Sequence, residues 1–236
     1  NLCGMITPFG NPQNLYLFSF FNIPIGTFIA IMLPPFLLST ALILLCCLTF
    51  PKEALCVPEA VVTLEPGRAA AYGLLFCLAV AMVLRAVPYQ AGLLIIVAAL
   101  LILDRHALKT VDWGLLATFA AFFTFSGNMA RMEAVRVFFQ QLLAHSAMLV
   151  SALTSQIISN VPAAILLSGF TNNYSALLIG VNLGGLGTLI ASLASLISFK
   201  FYANTDGSNK KHYLGIFTLY NAIFLVILFG LYRFFG

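Results

Sequence analysis

Long apolar runs separated by short polar segments dominate this chain. A helix rises about 1.5 Å per residue, so it needs roughly 17–25 apolar residues to cross a bilayer. Runs of that order predict spans over 2–20, 25–49, 69–86, 89–104, 112–127, 174–200 and 212–234. The run 145–170 is also apolar, but Ser159, Asn160 and Pro162 interrupt it. Lipid offers no hydrogen bonds, so irregular backbone at membrane depth persists only where it is buried in protein or lines a cavity. The segment is therefore expected to be a re-entrant hairpin with Ser159-Asn160-Val161-Pro162 at its tip.

Between Arg131 and Ala144 the period changes. Met132, Val135, Phe138, Phe139, Leu142 and Leu143 recur at helical spacing, with Arg131, Glu133, Arg136, Gln140 and Gln141 opposite. That pattern predicts an amphipathic helix along the membrane surface, leading into the hairpin. Pro34-Pro35 is expected to divide an interfacial piece (24–33) from the following span, because proline suits a first turn. Residues 51–68 carry Lys52, Glu53, Glu59, Glu65 and Arg68 with Pro and Gly, and read as a linker. With these spans Lys52, Arg68, Arg105, Lys109, Lys200, Lys210 and Lys211 share one side, and Arg85, Arg131, Arg136 and Arg233 the other. The richer side is expected to be cytoplasmic, with the hairpin opening from outside.

Composition sharpens the class. Of 236 residues, 61% are hydrophobic and 8% charged, against about 25% charged in soluble domains. This is an all-α integral membrane chain in contact with the lipid bilayer. The net charge of +4 is scattered through loops, with no cluster suited to nucleic acid. Five cysteines show no CxxC or Cys/His spacing and read as packing residues. No nucleophile–base pair, nucleotide motif or cofactor motif is visible, which argues against an enzyme. The chain opens at Asn1 without a start methionine, as a fragment would.

An internal repeat gives the pattern a direction. At an offset of 181, residues 1–21 match 182–202 at seven of 21 positions, among them Asn1/Asn182, Gly4/Gly185 and Thr7/Thr188. Asn11/Ser192 and Asn14/Ser195 keep hydrogen-bonding character. By the predicted spans the two copies run in opposite directions. A pair of interrupted spans in corresponding positions of two inverted halves points to a transport site. The same logic expects about 110 further residues upstream, holding three spans, a surface helix and a second hairpin.

The candidate chemistry follows from the breaks. Asn160 offers a carbonyl acceptor for a cation and an amide donor for an anion. Ser159 joins it at the tip, and Pro162 frees a backbone carbonyl. Gly184, Gly185, Gly187 and Thr188 suit an unwound span, although Gly180 and Gly184 also form the GxxxG of close helix packing. Thr7, Pro8, Gly10, Asn11, Pro12 and Asn14 repeat this chemistry in the first copy. All seven acidic residues fall in predicted loops, span ends or the surface helix. A proton relay usually needs an intramembrane carboxylate or histidine, so neutral oxygens and Na⁺ fit better than H⁺.

Ser159-Asn160-Val161-Pro162-Ala163 and Thr7-Pro8-Phe9-Gly10-Asn11-Pro12-Gln13-Asn14, with Asp112-Trp113 and Gly127-Asn128, resemble the ion transporter superfamily. That group includes divalent-anion/sodium symporters, citrate transporters and arsenite permeases. The resemblance implies an inverted-repeat secondary transporter with a re-entrant hairpin and discontinuous helices, a scaffold that often dimerises and a moving transport domain. It divides the chain into the end of a first repeat (1–50), a cytoplasmic linker (51–68) and a second repeat (69–236). The second repeat comprises scaffold spans 69–127, surface helix 131–144, hairpin 145–170, broken helix 174–200 and last span 212–234. Carried over, Asn160, Gly185, Thr188 and Ser192 would serve one Na⁺ site, and Thr7, Gly10, Asn11 and Asn14 its counterpart. The function implied is ion-coupled transport of a small anion, a di- or tricarboxylate or an arsenite-like oxyanion, across the plasma membrane. A cation/proton antiporter or a channel-like membrane protein is the alternative. Asn-Val-Pro at the tip, where dicarboxylate symporters tend to show Asn-Thr, leans toward the arsenite-permease and citrate-like members.

Overall fold

The computed structural model describes residues 2–49, 65–205 and 207–235. Residues 51–64 of the expected linker, and Asn1 of the repeat, lie outside them. Among the described residues the fold is all α, with α1 over Pro12–Phe20, α2 over Ile25–Thr49, α3 over Pro66–Val83 and α4 over Tyr89–Leu103. There follow α5 (Arg105–Lys109), α6 (Trp113–Arg131), α7 (Glu133–Ile158), α8 (Asn160–Ser168), α9 (Tyr174–Leu183), α10 (Leu193–Ala203) and α11 (Lys210–Phe235). Short 3-10 turns at Cys3–Ile6 and Leu189–Ala191 precede α1 and α10. α2, α3, α7 and α11 are long and apolar enough to cross a membrane.

The chain forms two compact units, one of 45–113 and one of 1–44 with 114–236. In the smaller unit α3 packs on α4 and α4 on α5. Asp104 ends α4 and caps α5, its Oδ1 accepting from the His106 and Ala107 amides at 2.9 and 3.2 Å. The Tyr72 hydroxyl donates to its Oδ2 at 2.8 Å.

The larger unit is built around the hairpin. Every residue of α8, from Asn160 to Ser168, is buried, because α1, α7 and α9 pack around it. Leu177, Leu178, Ile179, Val181 and Leu183 of α9 complete this core with Met5, Leu17 and Phe18. Phe18 meets Phe28 edge to face, with ring centroids 5.7 Å apart. Gly180 and Gly184 bring α9 against the backbone of Met148 and Ala152 and the Ser151 hydroxyl of α7, where a Cβ would collide. The GxxxG is thus a packing seam, and the residue that ends it also opens the break.

α3 begins at Pro66, inside the expected linker 51–68, and α6 runs on to Arg131, so the helix expected over 131–144 begins at Glu133; two further differences have a physical reason. Pro34-Pro35 does not divide a short piece from a span; both lie inside the continuous α2. A proline in mid-helix forfeits one hydrogen bond, yet in an apolar setting helix remains the only way to satisfy the rest. Conversely, α7 bends where no proline or glycine stands. Ser146 is extended (φ −166°, ψ 95°), and its Oγ accepts from the Leu149 amide at 3.3 Å, capping the segment that follows. The amphipathic segment therefore stops at His145. The arm beyond Ser146 runs only to Ile158, about 18 Å against a hydrocarbon core of about 30 Å. By itself it is shorter than that core, and the chain turns at Ser159.

Candidate functional site

The turn sits at Ser159, whose φ of 74° and ψ of 155° reverse the chain between α7 and α8. A non-glycine residue at positive φ costs of order 1–3 kcal/mol and clusters at functional positions. The flanking helices close tightly around it: the Ser159 amide bonds the Ser155 carbonyl, and the Ala163 amide bonds the Ser159 carbonyl, each at 3.0 Å. Pro162 falls in the first turn of α8, where its missing N–H is not needed. Asn160 opens α8 and is 1% exposed. Its Nδ2 is buried without a hydrogen-bond partner. An unmade donor of this kind costs about 1–3 kcal/mol.

The second break lies against the same arm. α9 ends at Leu183, Thr188 is extended (φ −74°, ψ 156°), and Ser192 is extended (φ −147°, ψ 134°) before α10 starts. Gln156 of the hairpin arm holds this stretch. Its Nε2 donates to the carbonyls of Gly184 at 2.7 Å and Leu186 at 2.8 Å, and to Ala152 at 3.2 Å. Its Oε1 accepts from the Thr188 amide at 2.9 Å, and the Thr188 hydroxyl donates to the Gln156 carbonyl at 3.2 Å. Gly187, at φ +102°, lets the chain pass Gln156; a Cβ there would strike its side-chain oxygen. The Ser159 hydroxyl reaches the Ala191 carbonyl at 3.4 Å, and Ser192 caps α10 by accepting from the Ala194 amide at 3.2 Å.

The first break repeats this backbone. Thr7 is extended (φ −118°, ψ 148°), matching Thr188, and Asn11 (φ −140°, ψ 143°) matches Ser192 as the residue before a helix. The Asn14 amide donates to the carbonyls of Met5 at 3.2 Å and Thr7 at 3.4 Å. Gly4 and Gly10 sit side by side across the turn with no room for a Cβ.

A buried node joins the two breaks. Asn182, 1% exposed at the end of α9, donates to Asn14 Oδ1 at 2.6 Å and the Leu178 carbonyl at 2.8 Å. Its Oδ1 accepts from Gln13 at 3.1 Å and Asn11 at 3.4 Å. On the far side of α8, the Ile165 carbonyl accepts from Ser126 of α6 at 2.8 Å and Ser168 at 3.0 Å. The hydroxyls of Ser168 and Tyr16 lie 2.8 Å apart.

The residues singled out in the sequence therefore occupy one region of one unit. Ser159, Asn160 and Pro162 form the tip, Gly185, Thr188 and Ser192 the second break, and Thr7, Gly10, Asn11 and Asn14 the first. Asn160, Gly185, Ser192, Asn11 and Asn14 are buried, whereas Thr188 and Gly10 are exposed. The sequence reading passed over three residues. Gln156 was one polar side chain in an apolar arm, three positions before the tip; Gln13 and Asn182 had been quoted only within motifs. A search for carboxamides inside apolar runs finds all three. Among the described residues no group of three or more His, Cys, Asp or Glu could hold a metal ion.

The chain matches the family model described as citrate transporter over residues 1–175. It is 32% identical over 227 residues to an uncharacterized transporter of Methanocaldococcus jannaschii, covering 96% of this chain and 61% of that protein. It is also 32% identical over 208 residues to an inner membrane protein of Escherichia coli, covering 85% and 55%. The chain thus spans less than two thirds of the length of these curated relatives. No solved structure matches it.

Proposed function

This chain belongs to the citrate transporter family of multi-pass membrane proteins, and from that premise we propose that it carries the second half-site, and part of the first, of an ion-coupled anion transporter. The substrate is a small di- or tricarboxylate or an arsenite-like oxyanion, moved by alternating access across the plasma membrane. The observation that carries this reading is the buried, unpartnered amide of Asn160. A donor with no acceptor, at the start of a buried helix, favours a ligand that brings an acceptor oxygen. The partial positive charge at the N-terminus of α8 acts in the same direction.

Na⁺ is the coupling ion that the oxygens favour. Asn160, Gly185 and Thr188 supply a side-chain carbonyl, a backbone carbonyl and a hydroxyl, while Thr7 and Asn11 repeat the set in the first copy. Ser192, Asn14 and Gly10 shape the surrounding backbone. The extended backbone shared by Thr7/Thr188 and Asn11/Ser192 supports a repeat, inverted in this reading, and a homodimer is the assembly this reading favours. Intact protein in liposomes is expected to take up citrate, succinate or arsenite in response to a Na⁺ or H⁺ gradient. Asn160→Ala and Asn11→Ala should each lower uptake about 10- to 100-fold at unchanged folded protein, the size of one lost bond to a charged ligand. Wild-type uptake in both variants overturns the site; uptake that never saturates indicates a channel.

A further inference from the structure

The two breaks need the same backbone carbonyl satisfied and obtain it from different elements. At the offset of 181, Met5 corresponds to Leu186 and Asn14 to Ser195. Asn14 reaches the Met5 carbonyl from its own helix. Ser195 is too short to do so, and the Leu186 carbonyl is served by Gln156 from the hairpin. We propose that Gln156 is a positioning residue, fixing the second break to the hairpin as Asn14 fixes the first break to α1. This deepens the transport reading and rests on it only for its consequence in uptake.

Geometry around Ser195 supports the equivalence. Ser195, Gly185 and Leu186 line one cavity of about 330 Å³. Space therefore exists beside both Leu186 and Ser195, the counterparts of Met5 and Asn14. In the second copy the carboxamide comes from α7, the arm that also carries the tip. Gln156 uses both of its amide hydrogens and its oxygen on the segment 184–188, together with a contact to Ala152. The half-site contributed by the break consequently travels with the tip.

The test measures backbone protection and uptake in the intact protein. Gln156→Met keeps the length of the side chain and removes its donors to Gly184 and Leu186 together with the acceptor of the Thr188 amide. Hydrogen–deuterium exchange over 184–188 should rise about tenfold, the scale of one lost protecting bond, and the KM for the transported anion should rise in step. Gln156→Glu keeps an acceptor for the Thr188 amide but sets a carboxylate against two carbonyls, and should be worse. Adding Ser195→Asn to Gln156→Met supplies the missing donor from α10 and should return exchange to within about threefold of wild type. Wild-type exchange in both single variants, or no recovery in the double variant, overturns the proposal. Should Gln156→Met fail to accumulate, Gln156→Asn, one methylene too short to reach Leu186, replaces it. If the intact protein moves none of the anions, the transport reading fails while the exchange series still decides the role of Gln156.

Discussion

In the first break the Asn14 amide reaches the carbonyls of Met5 and Thr7 from within the helix that follows. In the second, the corresponding position holds Ser195, and the carbonyls of Gly184 and Leu186 turn instead to Gln156 on the hairpin. The backbone is the same in both, extended at the matched threonine and again at the residue before the helix. Unwinding a helix inside a bilayer exposes carbonyls that only protein can satisfy. What must be satisfied is thus repeated, and what satisfies it is free to differ. The first break is self-contained and carboxamide-rich; the second is glycine-rich and depends on a neighbour.

Three comparisons break or sharpen this contrast. The largest effect belongs to Asn182, which ties the copies together. Asn182→Ala removes four hydrogen bonds. At about 0.6–1 kcal/mol each in membrane proteins, it should cost about 2–4 kcal/mol. The thermal unfolding midpoint in detergent should fall by roughly 5–15 °C; an unchanged midpoint would show that the two breaks are held independently.

A matched pair comes next. Asn14→Ala strands two carbonyls and one donor, the Asn182 Nδ2, and is expected to cost about 2 kcal/mol. Ser195→Ala, at the corresponding place, should stay within about 0.5 kcal/mol. Equal losses in the two would dissolve the distinction between a self-held and a neighbour-held break.

The smallest effect separates the two helix starts. Ser192 caps α10 through its side chain, so Ser192→Ala should cost about 1 kcal/mol, and Ser192→Asp should recover it. Asn11 makes no such cap and spends its amide on Asn182. Asn11→Asp should therefore gain nothing from capping, as read by the same unfolding midpoints.

Much of this arrangement was legible in the chain. The apolar runs located α2, α4 and α11 closely, because composition alone decides which segments lipid accepts. The polar interruption at Ser159-Asn160 marked the turn, and the 181-residue offset paired two breaks whose dihedral angles agree. Pro34-Pro35 misled, since proline lowers helix stability locally while the apolar environment sustains α2 around it. Ser146 was missed because an N-cap needs only a serine and a following amide, a signal shared by many serines in apolar helices.

Periodicity and polarity along the chain were enough to establish a membrane-embedded helical protein and to mark the helix breaks near Thr7, Ser159 and Thr188. Both properties are local: a residue's preference for lipid and its capacity to break a helix travel with its own side chain. Which carboxamide meets which carbonyl was settled only by packing. Gln156 and Leu186 are 30 residues apart, Asn14 and Asn182 are 168, and nothing in their flanking sequence specifies those partners. Close approach of α7, α9 and α1 around the buried α8 brings them within hydrogen-bond reach.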